Sequence, residues 1–197
     1  MAQAYCDKND EFETFVAFGA NVALGRQSLS EAIIVAISAL DRPTCRLLRQ
    51  SRMFHTPCFP AGAGPDYVNA VAAFRTTLTP RDVLALLHGV ESDMGRERAQ
   101  RWGSRTMDLD LLAYGNLVLP DPVTFWHWHD LAADQQSLRA PDTLIVPHPR
   151  VSERAFVLIP MLDIAPDWRH PLLGKTTAQM AAALPMAEKR AVRPLST

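Results

Sequence analysis

The stretch Arg101-Trp102-Gly103-Ser104-Arg105-Thr106-Met107-Asp108-Leu109-Asp110, continued by Leu111-Leu112-Ala113-Tyr114, decides how the rest of the chain reads. Thr106 to Tyr114 is apolar enough for a strand, in which successive side chains point to opposite faces. Asp108 and Asp110 then emerge on one face, about 6.5 to 7 Å apart along the backbone. Carboxylates at that spacing can share hard divalent cations, and Mg²⁺ typically takes one or two of them and leaves its other positions to water and phosphate oxygens. The arginines of the same ten residues suit phosphate, which guanidinium forks bind in bidentate fashion. The stretch reads as a polyphosphate site on a strand end.

Outward from it, 197 residues suffice for one well-cored domain over 1–197, and nothing obliges a second. Twenty basic against twenty-one acidic residues leave a net charge of -1, so any anion binding is local. This balance gives no electrostatic reason to bind nucleic acid or an anionic membrane. No apolar run reaches the roughly 20 residues that span a bilayer, and the N-terminus carries Asp7, Asp10, Glu11 and Glu13 where a leader would be basic. The expectation is a cytoplasmic protein. Cys6, Cys45 and Cys58 are odd in number and lack metal-like spacing, which suits reduced thiols. A nucleophilic Cys58 in the loop after Pro57 is the alternative.

The flanking chain supplies alternating strands and helices. Residues 1–13 read as a tail, Thr14 to Phe18 as a strand, and Gly19-Ala20-Asn21 as a turn. Leu29, Ile33, Ala36, Ile37 and Leu40 recur at helical spacing after Ser28 and Ser30, either of which can cap, and Pro43 stops the helix. Cys45 to His55 reads as one strand near an edge, Thr56 to Asp66 as a Pro/Gly loop, and Tyr67 to Leu78 as a long strand. On that strand Val68, Ala70, Ala72 and Phe74 suit a core face. Tyr67 and Asn69 begin the other, an aromatic and an amide able to pack on and read a heterocycle, or simply a surface tyrosine and a turn asparagine.

Thr79-Pro80 starts a helix whose stripe is Val83, Leu87, Val90 and Met94, with Glu91 on the same side and Gly95 ending it. Arg96 to Arg105 has neither stripe nor alternation and reads as a charged loop. Gly115-Asn116 turns the chain into a short returning strand, Leu117 to Leu119. Residues 120–143 read as an inserted hairpin or loop packed by Trp126 and Trp128; His127, His129 and Asp130 suggest a metal, but no third ligand follows at a recognisable spacing. Leu144 to Val146 reads as a strand, Phe156 to Ile164 as a buried helix interrupted at Pro160, Thr177 to Leu184 as a helix, and the residues from Pro185 as loose.

Three segments now stand in order: Thr56-Pro57 with Tyr67-x-Asn69; the arginine, tryptophan and aspartate string; and Val146-Pro147-His148-Pro149-Arg150 with Arg154-x-Phe156. From Phe15 to about Pro166 the chain resembles the 6-hydroxymethyl-7,8-dihydropterin pyrophosphokinases, enzymes of the folate pathway. The resemblance implies an α+β, ferredoxin-like antiparallel sheet with helices packed on it, a three-layer αβα sandwich. It implies two Mg²⁺ ions at Asp108 and Asp110, ATP as co-substrate and a pterin alcohol as acceptor. Arg96 and Arg105 would join the aspartates in catalysis, and Glu91, Arg98, Arg101, Trp102, Ile145, His148 and Arg154 would fall at the nucleotide. Thr56, Pro57, Phe59, Tyr67, Asn69 and Phe156 would fall at the pterin, with Tyr67 and Phe156 sandwiching its ring and Asn69 reading its edge. Loops 57–66 and 96–107 match those that close over substrates in the family.

Three positions depart from that pattern. Residues 120–143 exceed the compact form, Pro149 replaces an aromatic and Ile145 a threonine of some members, so the grip on the nucleotide base and sugar differs. The implied chemistry needs no covalent intermediate: a hydroxymethyl oxygen attacks the β-phosphorus and AMP leaves, so positioning and charge stabilisation dominate. Each loop arginine would contribute about 3 to 4 kcal/mol to the transition state. The partners expected are small molecules, with the chain a monomer. Two rivals are a two-metal nucleotidyl transferase or cyclase, which releases pyrophosphate and leaves Tyr67, Asn69 and Phe156 unexplained, and a ferredoxin-like nucleotide or RNA sensor without turnover.

Overall fold

Ten residues, Tyr67–Thr76, form the central strand β4, and both of its faces are covered: Val68, Ala70, Ala72 and Phe74 pack on one side, Val71 and Ala73 on the other. The computed structural model describes residues 10–23, 25–58, 64–95, 106–132, 135 and 139–195. It sets β4 antiparallel to β1 (Phe12–Ala20) on one edge, and to β2 (Cys45–Gln50) and β3 (Phe54–Thr56) on the other. Beyond β1 lies β5 (Asp108–Tyr114), and beyond β3 the short β6 (Arg193–Pro194), giving the order β5-β1-β4-β3-β6 with β2 also paired to β4.

Helices α1 (Leu29–Leu40) and α2 (Pro80–Asp93) cover the first face of this sheet. Ser28 caps α1 in a capping box with Glu31, and Thr79 caps α2 ahead of Pro80 at its first position, as their sequences require. The expected stripe of α2 is buried throughout, and Gly95 takes a positive φ of 74° just beyond it. On the second face lie α4 (Ala155–Ile164) and α5 (Thr177–Ala183), through Val157, Leu158, Met161 and Met180. The antiparallel αβα sandwich expected from the sequence is the fold adopted. No helix of the described residues is long and apolar enough to cross a membrane.

Several local expectations fail for identifiable reasons. Cys45 to His55 is two strands, because buried Ser51 replaces the regular ladder: its Oγ accepts from Val71 N and donates to Arg52 O. Leu117 to Leu119 does not return along β5; Leu119 instead bridges Val146, and Leu144 to Val146 reduces to that bridge. The segment expected as a hairpin or loop contains α3 (Pro122–His129), started by Asp121 as cap and Pro122 at the first position. Pro160 does not interrupt α4, which runs on through it with the ring buried. The tail from Pro185 forms α6 (Met186–Ala191) and β6, held because Val192 is buried and Leu195 N donates to Met53 O.

The inserted helix docks through an aromatic cluster. Phe125, fully buried, meets His129, Trp126 and His170, and His170 meets Trp168. The His170 Nδ1 accepts from Leu172 N and Leu173 N, so the proton sits on Nε2, which has no acceptor among the described residues. Burial, then the nearby His129, pushes the His170 pKa down to about 4. Because the folded value lies below the unfolded one, His170 favours the folded state fully above about pH 6.5 and that contribution is lost as pH falls toward 4, to a limit of about 3 kcal/mol. Urea unfolding at pH 7 and at about pH 4.5 should show this loss, and His170→Phe should reduce it. An unchanged pH dependence in that variant would show that His170 is not the source.

Candidate active site

Gly19 lies between the two halves of the expected site. In register it faces Asp108 of β5 on one side and Asn69 of β4 on the other, and Asn69 in turn faces Phe54 of β3. With neighbouring strands spaced about 4.8 Å apart, the Asp108 and Asn69 backbones are about 10 Å apart across the glycine. A Cβ on Gly19 would stand 2.9 Å from Asn69 Oδ1, so the missing side chain leaves a gap along the sheet surface. Gly19 belongs to β1 instead of the turn expected at Gly19-Ala20-Asn21, and its use here is space, not an unusual backbone angle.

The amide beside this gap is held in one orientation. Asn69 Nδ2 donates to Thr56 Oγ1 at 2.5 Å, both residues being buried, which turns Oδ1 toward the gap. Tyr67, half-buried, is two residues along the same face. Ends of the adjoining loop are tied down: Asn21 Nδ2 donates to Pro65 O, and Asp66 accepts from Cys58 N while its other oxygen lies 3.1 Å from His55 Nε2. Pro57 is exposed at the start of that loop, and Phe59 lies outside the described residues. Cys58 is a buried free thiol and Cys45 another, whose pKa burial raises; neither has the environment of a nucleophile.

At the other end of the gap, Asp108 and Asp110 are partly exposed on the face that they share with Ala17 and Gly19. Leu109 and Leu111 anchor the strand on the opposite face. Asp110 Oδ2 accepts from Arg154 Nη1 at 2.8 Å, and the Arg154 guanidinium also covers the exposed Phe156 ring, 5.5 Å from its centroid. His148 is brought alongside because its N–H donates to Leu112 O, and its Nδ1 accepts from Arg150 N at 3.1 Å. Withdrawal from water, Arg154 and Arg150 push the His148 pKa down to about 4 against the opposing pull of Asp110. Its neutral ring therefore presents an Nε2–H.

Glu91 is 1% exposed and lies behind β5, where Oε1 accepts from Leu109 N at 2.8 Å. That bond fixes the backbone between the two aspartates. Glu91→Ala leaves the buried Leu109 N–H without this acceptor and is expected to lower unfolding free energy by about 2 kcal/mol in urea titrations, Glu91→Gln by much less. Equal losses in the two variants would refute the hydrogen-bond role. Ile145 is buried next to Val146 of the Leu119–Val146 bridge. Arg96, Arg98, Arg101, Trp102 and Arg105 lie outside the described residues.

The donor set fits Mg²⁺. Asp108 and Asp110 supply two hard oxygens on one face; among the described residues, Thr106 Oγ1 just before them is buried without a partner, and no third carboxylate joins them in a group. His127 and His129 join no group of three or more possible ligands among the described residues, and the His129 Nδ1 lies 2.7 Å from Asp130 Oδ1. Gly19, Asn21 and Asp66, read from the sequence only as turn and loop residues, also line or brace the site. A glycine inside a strand pattern was the available signal for the first.

Known proteins match this arrangement over most of its length. The sequence profile of the 7,8-dihydro-6-hydroxymethylpterin-pyrophosphokinase (HPPK) family matches residues 15–166. A 2-amino-4-hydroxy-6-hydroxymethyldihydropteridine pyrophosphokinase of Pseudomonas aeruginosa is 37% identical over 172 residues, covering 87% of this chain and 91% of that protein. One from Synechocystis is 34% identical over 167 residues, covering 84% and 72%. In fold, a Plasmodium falciparum HPPK-DHPS chain superposes with a TM-score of 0.65 at 12% identity, covering 89% of this chain and 44% of the larger one. The chain therefore belongs to the 7,8-dihydro-6-hydroxymethylpterin-pyrophosphokinase family and is an enzyme of the pyrophosphokinase class.

Proposed function

We propose that the chain transfers the pyrophosphoryl group of ATP to 6-hydroxymethyl-7,8-dihydropterin in a Mg²⁺-dependent reaction, giving AMP and the pterin diphosphate for folate biosynthesis. The observation that carries this reading is the line Asp108–Gly19–Asn69 across three strands, an anion-and-metal end and a heterocycle end joined by a gap. Asn69, oriented by Thr56, reads the pterin edge, Tyr67 and Phe156 pack on its faces, and Pro57 and Phe59 close the loop side. The hydroxymethyl group then points along the gap toward Asp108.

Asp108 and Asp110 would hold two Mg²⁺ ions, which when bound would offset the negative charge of the phosphates. Arg154 exchanges Asp110 for a phosphate oxygen as nucleotide enters, and the neutral His148 donates its Nε2–H to another. Glu91 holds β5 in place, and Ile145 lies beside the nucleotide. By the family resemblance, Arg96 and Arg105 would offset the charge that builds on the phosphoryl oxygens, and Arg98, Arg101 and Trp102 would serve the nucleotide. No side chain is required as a nucleophile; alignment of the hydroxyl with the β-phosphorus supplies most of the acceleration. We take the chain to act as one domain over 1–197, a cytoplasmic monomer that binds neither nucleic acid nor membrane. Chromatographic assay of AMP from Mg²⁺-ATP tests the reading: AMP should form only with the pterin alcohol present, and ATP consumption indifferent to the pterin would refute it.

A further inference from the structure

A second cleft lies on the reverse side of β3 from the amide of Asn69. Thr56 turns its hydroxyl to Asn69, so by strand alternation His55 points to the opposite face. There a cavity of about 410 Å³ opens, lined by His55, Pro57, Ala187, Arg190, Ala191 and Arg193. Two separate periodicities build it. Ala187, Arg190 and Ala191 stand at i, i+3 and i+4 on α6 and share one helix face. His55 and Arg193 are cross-strand partners between β3 and β6, so their side chains share one sheet face at about 5 Å.

Charge in the cleft is one-sided. Arg49, Arg52, Arg150 and Arg154 each hold a carboxylate, whereas the guanidiniums of Arg190 and Arg193 have no ion pair or hydrogen bond among the described residues. Among the described residues no carboxylate lines the cavity; Glu188 follows Ala187 on the same helix, and Asp66 stands 3.1 Å from His55 Nε2. Lys189 of the same helix turns away to donate to Ala182 O. In a chain of net charge -1, two unpaired guanidiniums flanking an imidazole, with small apolar walls at Pro57, Ala187 and Ala191, form a concentrated local cation. Guanidinium forks of this kind match the oxygens of a phosphate group.

We infer that this cleft is a second anion site, separate from the nucleotide end, which binds a phosphate group, either inorganic phosphate or the terminal phosphate of a small monoester. Arg190 and Arg193 bracket the phosphate oxygens and the His55 Nε2–H is drawn from Asp66 toward them. This inference stands on the cleft and goes beyond the pyrophosphokinase reading, since its test needs no turnover.

The His55 imidazole resonance, followed by NMR at constant ionic strength, reports on it. Inorganic phosphate should shift that resonance saturably, and Arg190→Gln/Arg193→Gln should weaken the binding by about tenfold or more, while Arg190→Lys/Arg193→Lys retains part of it. An unshifted His170 resonance in each variant certifies the fold. Ribose 5-phosphate as a parallel titrant identifies the source: tighter binding than inorganic phosphate assigns a monoester, weaker binding the free anion, and either supports the site. A shift equal to that caused by chloride, or one that survives the double glutamine variant at full affinity, overturns it.

Discussion

Asp110→Asn is expected to lower the kcat of AMP formation on the order of 10²- to 10³-fold, equivalent to about 3 to 4 kcal/mol of transition-state stabilisation. Asparagine keeps the shape and still offers Oδ1 to Arg154 Nη1, which pairs with Asp110 at 2.8 Å. What it removes is one of two negative charges on the sheet face where phosphate and cation are to meet. Leu109 and Leu111 still anchor β5 in the core, so the thermal midpoint should stay within a few degrees of that of the parent. Turnover retained within about threefold in a folded variant would mean that Asp110 holds no cation needed for the chemistry.

Gly19→Val is expected to weaken binding of the pterin alcohol about 100-fold or more, near 2.7 kcal/mol, while a non-hydrolysable ATP analogue binds within about threefold of the parent. The first carbon alone would come within 2.9 Å of Asn69 Oδ1, and that amide is not free to give way because its Nδ2 is bonded to Thr56. Two further methyl groups would fill the space between the amide and Asp108. The backbone of Gly19 is ordinary strand, so the loss comes from the ligand's room and the crowding of Asn69 and not from an unfavourable φ. Calorimetric titration with each ligand separates the outcomes: equal losses would indicate a general disturbance of the sheet, and intact pterin affinity would place the pterin elsewhere.

What was legible beforehand follows from which signals are local. The caps at Ser28 and Thr79, the stripe of α2 and the alternation of β4 are short-range patterns, and each of these appears in the structure. Asp108 and Asp110 share a face because strand periodicity is equally local. The split of Cys45 to His55 was hidden because it depends on Ser51 meeting Val71, twenty residues away. Helix α3 has a local start signal in Asp121-Pro122, but its run of tryptophans and histidines carries no helical stripe. The tail became α6 and β6 through Val192 and Leu195 reaching the core, a tertiary effect that composition does not carry. Gly19 required register across three strands, which a single strand's sequence does not contain.

The same register brings the two motifs, almost forty residues apart in sequence, to one stretch of the sheet. Asn69 and Asp108 are separated by one strand, and the residue on that strand has no side chain. The His148 and Arg154 groups enter from the segment that crosses beside Leu112, so a neutral and a cationic donor stand at the Asp110 end of the gap.

The most direct measurement is a crystal structure with a non-hydrolysable ATP analogue, Mg²⁺ and the pterin alcohol bound. The predicted result has the pterin edge on Asn69, its hydroxymethyl oxygen over Gly19 facing the β-phosphorus, and Mg²⁺ on Asp108 and Asp110. A pterin bound away from Asn69, or triphosphate and cation seated away from the two aspartates, would contradict it.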